Sequence, residues 1–118
     1  MISGCGLVGD ALTCTADLRF GLVVTVVDSV TGMPPASALL IARTETAVDS
    51  VGPFAPQPVV LNGAPTLQFP AAPERAGVYQ LLVRAPGYRD WTRSGVEVTK
   101  DGCHVRRTEI TARLQPAP

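Results

Sequence analysis

Residues 47 to 76, AVDSVGPFAPQPVVLNGAPTLQFPAAPERA, carry six prolines, and the whole chain has 11 glycines and 11 prolines in 118 residues. Each proline fixes its backbone and removes a hydrogen-bond donor, so no helical apolar spacing survives in that stretch. The segments between these breaks are short and rich in β-branched residues. A chain punctuated in this way folds as short strands joined by turns.

The strands can be read one at a time. In LRFGLVVTVVDSVTGMPP, residues 18 to 35, Leu22, Val24 and Val26 fall on one face and Val23, Thr25 and Val27 on the other. Asp28 to Pro35 then supply turn chemistry. ALLIARTET, residues 38 to 46, reads as a second strand, less cleanly alternating because Leu39, Leu40 and Ile41 are contiguous. The proline-rich stretch is expected to be mostly loop, with short strands around Val59 to Leu61 and Thr66 to Phe69 and a hairpin turn through Asn62-Gly63. Val78 to Ala85 alternates again, with Tyr79, Leu81 and Val83 opposite Gln80 and Arg84, and closes in a Pro86-Gly87 turn. Arg89 to Val98 follows, irregular at Ser94-Gly95. Lys100-Asp101-Gly102 makes a turn, and His104 to Leu114 is the last strand, with Thr108, Ile110, Ala112 and Leu114 on one face. About seven strands and no helix predict an all-β fold, a single antiparallel β-sandwich. Residues 18 to 115 form the domain and residues 1 to 17 an N-terminal segment.

Ten basic and ten acidic residues, scattered along the chain, leave no net charge. The footprint of a nucleic-acid binder is absent, and no apolar run reaches the roughly 18 residues of a membrane-spanning helix.

Two motifs resemble a known family. Asp28 followed by Thr31-Gly32-Met33-Pro34, and later Gly77-Val78-Tyr79 followed by Gly87-Tyr88, resemble the carboxypeptidase regulatory-like domain. That domain is a Greek-key, transthyretin-like sandwich that follows the catalytic domain of some carboxypeptidases and recurs in bacterial exported proteins. The resemblance covers residues 20 to 98 and extends plausibly to the last strand. It implies a non-catalytic module, exported to the bacterial cell envelope, whose partner is a protein or a glycan. Relatives that hydrolyse 5-hydroxyisourate use more than one histidine and a terminal Tyr-Arg-Gly-Ser motif. Here one histidine and the ending RLQPAP stand in their place. No cofactor is implied. The motif residues also make sense as structure: Asp28 can bond the turn that follows it, Gly32 permits a positive φ, and Tyr79 suits a sandwich edge.

The three cysteines need separate readings. ISGC, residues 2 to 5, resembles the end of a bacterial lipoprotein signal and makes Cys5 a candidate for lipidation, the only membrane attachment the sequence suggests. Only four residues precede it, fewer than the apolar segment such a signal needs. Cys14 precedes the first strand and Cys103 the last, and these strands commonly lie near each other in a sandwich. A Cys14–Cys103 disulfide is therefore expected. In the chain-entropy model it would contribute about 4 to 5 kcal/mol, and it requires an oxidising compartment. The alternative is two buried free thiols in a cytosolic protein.

Cys103-His104 invites a catalytic or metal reading. Neighbours on a strand point to opposite faces, which makes a poor dyad, and a zinc site needs about four ligands at recognisable spacing. His104 is expected to be scaffolding. The acidic residues show no calcium-loop spacing, so no metal is expected. Arg84, Arg89, Arg93, Arg106, Arg107 and Arg113 are expected at solvent-facing positions, partly paired with Asp90, Glu97 and Glu109. Tyr88, Arg89, Trp91 and Arg93 form a candidate ligand surface, although such aromatics more often cap a core beneath a turn. A second functional class is self-association by strand addition, aided by the apolar stretch CGLVGDAL at residues 5 to 12.

Overall fold

The computed structural model describes residues 18–58 and 65–117. Among these residues there are nine strands: β1 Phe20–Asp28, β2 Ala38–Arg43, β3 Val48–Phe54, β4 Gln57–Pro58, β5 Pro65–Thr66, β6 Gln68–Pro73, β7 Gly77–Arg84, β8 Trp91–Val98 and β9 Thr108–Leu114. Seven form two sheets, one ordered β9-β1-β6 and the other β3-β2-β7-β8, and β4 and β5 pair separately. Among the described residues there is no helix.

Period-two alternation builds the core. Leu22, Val24 and Val26 of β1 are fully buried, and they meet Leu40 and Ala42 of β2 and Tyr79, Leu81 and Val83 of β7. Phe69 of β6 and Ala112 and Leu114 of β9 complete the same cluster. The two inner faces thus close one apolar layer, as a β-sandwich requires.

Several expectations are refined. All strand pairs are antiparallel except β1 with β9, which runs parallel from Thr108 opposite Leu22 to Leu114 opposite Asp28. First and last strands are neighbours, as expected, but they point the same way because the chain crosses between the sheets before β9. The second strand ends at Arg43 rather than 46, because Thr44 turns the chain, its Oγ1 accepting from the N–H groups of Thr46 and Ala47. Residues 47 to 76 hold more strand than expected: β3 pairs with β2 and β6 with β1 despite their prolines. Both lie at sheet edges, where a missing donor is tolerated. Val59 to Leu61 and Asn62-Gly63 lie outside the described residues, although Gln57 opposite Thr66 and Pro58 opposite Pro65 form paired arms on either side. β8 starts at Trp91 rather than Arg89, and β9 at Thr108 rather than His104. The Asp101 carboxylate holds the turn that delays β9, accepting from the N–H groups of Cys103 and His104 at 2.9 Å each.

Tyr79 is a correction of position. It is 1% exposed in the core rather than at an edge, and its hydroxyl donates to the Arg75 carbonyl at 2.9 Å.

Candidate functional site

Among the described residues, three polar clusters and one aromatic-basic surface bring chemically capable side chains together. The first cluster joins the two motifs. Asp28 ends β1, and its Oδ1 accepts from the N–H groups of Val30 and Thr31 at 2.6 and 3.1 Å. The Asp28 N–H donates to the Met33 carbonyl, and Gly32 adopts a φ of 75°. Tyr88 follows a Pro86-Gly87 turn closed by the Tyr88 N–H on the Ala85 carbonyl, and its hydroxyl donates to Asp28 Oδ2 at 2.7 Å. The Tyr88 hydrogen bond, helped by the two N–H groups, holds the Asp28 carboxyl below the usual carboxylate range. The same bond pushes the Tyr88 phenol up.

The second cluster is built around His104 and Glu74. His104 is buried, and its Nδ1 lies 2.7 Å from Glu74 Oε2. The same Glu74 oxygen accepts from the Arg19 N–H at 2.9 Å, and the Glu74 N–H donates back to the Arg19 carbonyl at 2.8 Å. Glu74 Oε1 accepts from the Val105 N–H at 3.4 Å. Burial pushes the Glu74 carboxyl up, but its bonds with His104, Arg19 and Val105 outweigh this and leave it below the usual range. One carboxylate therefore ties together the start of β1, the β6–β7 turn and the approach to β9. Cys103 is disulfide-bonded. Its sulfur is not a nucleophile in that state.

The third cluster lies beside it. Asp49 of β3 accepts from Arg75 Nη1 at 3.1 Å and from the Ala72 N–H at 3.3 Å. Ala72 and Glu74 both adopt positive φ, 54° and 50°, in a tight β6–β7 connection. Among the described residues, no group of three or more His, Cys, Asp and Glu side chains is arranged to hold a metal ion.

The candidate surface is only partly assembled. Tyr88 and Trp91 are half-buried and pack against the core, so Tyr88 acts as a cap. Arg93 places its guanidinium 5.3 Å from the centroid of the Trp91 ring, a cation–π contact. Arg89 is exposed, and its N–H donates to the Gln115 carbonyl. Two of the expected ion pairs form, Arg84 with Asp90 at 3.2 Å and Arg107 with Glu109 at 3.6 Å. Two open grooves lie elsewhere. One of about 820 Å³ runs past Arg19, Phe20, Val23, Gln68 and Arg106, and one of about 880 Å³ past Arg43, Thr44, Gly77 and Val78.

Cys5, Cys14 and the stretch at residues 5 to 12 lie outside the described residues. Glu74 and Asp49 were not singled out from sequence. Neither sits in a motif, and each finds its partners through contacts 23 to 55 residues apart in the chain.

Fold and clusters together define a two-sheet β-sandwich whose carboxylates close turns and join strands. A scan of protein-family models and a search of curated proteins each returned no match for this chain.

Proposed function

We propose that this chain is a non-catalytic β-sandwich module of the carboxypeptidase regulatory-like type, acting by binding or as a structural element at the bacterial cell envelope. The observation that carries this reading is the Asp28–Tyr88 hydrogen bond at 2.7 Å. The residues on which the resemblance rests, 60 positions apart in the chain, make one joint between two turns. Such a joint is what a shared sandwich scaffold would keep.

In this reading the ligand is a protein or glycan with exposed carboxylates. It meets the module at Trp91, Arg89 and Arg93, where the stacked guanidinium is already held in place. Cys14 is the partner of Cys103, which accords with export to an oxidising compartment, and Cys5 carries the lipid.

The test is the intact mass of the protein from its native host, purified without reductant, followed by peptide mapping with thiols blocked. A diacylglyceryl-sized increment on Cys5 and a Cys14–Cys103 peptide are the expected results. Three free thiols on a chain beginning at Met1 would refute export, anchor and bridge together.

A further inference from the structure

Among the described residues the sandwich has four edge strands: β6 and β9 in one sheet, β3 and β8 in the other. Three of them carry features that obstruct strand addition. In β6, Phe69 and Ala71 pair with Val24 and Leu22, so the backbone of Pro70 faces outward, where it has no N–H to offer. β3 contains Pro53 and shifts register against β2. β8 is bulged at Ser94-Gly95, with Gly95 at a φ of 69°. β9 has no proline, glycine or register shift from Thr108 to Leu114.

The phase of β9 follows from one bond, the Ser29 N–H donating to the Leu114 carbonyl at 2.8 Å. In a parallel ladder a residue directs both backbone groups to the same neighbour, and successive residues alternate. Thr108, Ile110, Ala112 and Leu114 therefore face β1. Glu109, Thr111 and Arg113 present their N–H and carbonyl groups outward, and all three side chains are exposed.

From this we infer that two copies of the chain pair antiparallel along β9, centred on Thr111, joining two three-stranded sheets into one of six strands. In this register Thr111 lies opposite the partner's Thr111, and Glu109 lies opposite the partner's Arg113. The two-fold axis repeats that ion pair. All three outward residues then form hydrogen-bonded pairs, and opposite charges directly across a ladder are favourable. Among the described residues Arg113 has no ion-pair partner, and Glu109 has only the exposed Arg107 at 3.6 Å. On the inner face, half-buried Ile110 would lie opposite the partner's Ala112, which extends the apolar layer. Other registers are worse. Parallel pairing aligns like charges, and a two-residue slip separates Glu109 from the partner's Arg113.

This inference does not depend on export or lipidation, so a monomer would leave the envelope reading standing. The test is sedimentation velocity of the full chain over a wide concentration series, with a thermal melt confirming that each variant folds. Wild type is expected to shift from monomer to dimer. Glu109→Arg and Arg113→Glu each set like charges opposite one another and should weaken dimerisation by about tenfold, while the double variant restores it to within about threefold. A monomer at every concentration would overturn the inference. So would a dimer insensitive to the single variants, or one that the double variant fails to restore.

Discussion

Asp28, 8% exposed, illustrates how a single carboxylate is held at a strand end: it accepts two backbone N–H groups and one phenol. Its pKa is lowered, as are those of Glu74 and Asp101. Groups depressed in the folded state contribute stability above the ordinary carboxylate range and lose it as pH falls through their folded values. Tyr88 and Tyr79 are shifted upward, Tyr88 mainly by Asp28 and Tyr79 mainly by burial. They contribute stability below the ordinary tyrosine value and lose it as pH rises further. Urea unfolding as a function of pH should therefore show a plateau between about pH 5 and about pH 9, with a fall on either side. Tyr88→Phe should lower the plateau and shrink the acid limb, ending it at higher pH, because Asp28 loses the largest cause of its depression. An unchanged acid limb would contradict the joint. Glu74→Gln, which keeps the shape but not the charge, should speed amide hydrogen exchange at Arg19 and Val105, the two N–H groups its carboxylate accepts.

Strands were the most legible elements in the sequence, and their buried faces follow the alternation of β1, β7 and β9 residue by residue. β3 and β6 were less legible because proline argues against a strand until its place at an edge is known. Ser94-Gly95 was readable as an irregularity, since glycine within a strand pattern commonly marks a bulge. Gly21 was not distinctive in sequence, yet an added methyl group there would run into the Val98 side chain of β8. Gly21→Ala should cost about 1 to 3 kcal/mol in urea unfolding through overpacking, although alanine suits a strand at least as well as glycine. Tyr79→Phe leaves the Arg75 carbonyl without its phenol donor and should cost about 1 kcal/mol in the same assay.

For the whole molecule, a covalent tie at Cys103 and the Glu74–His104 contact both act just ahead of the last strand. If Cys14 is the partner, reduction frees a loop of about 90 residues in the unfolded chain and should remove about 4 to 5 kcal/mol, read as a lower thermal midpoint in reductant. A midpoint insensitive to reductant would contradict that assignment. The candidate site divides along similar lines. Asp28 as the acceptor for the turn that follows it could be anticipated from turn chemistry and residue type. Glu74 and Asp49 could not, since a carboxylate in a loop gives no local sign of its distant partners. The sequence by itself determined the all-β class, most strand faces and the turns, because a period of two, a glycine with positive φ and a turn-bonding aspartate are local properties. Only the tertiary structure decided that β1 and β9 run parallel, that Pro70 faces outward and that Glu74 meets His104. Those depend on how the chain crosses between two sheets, and so on contacts between residues far apart in sequence.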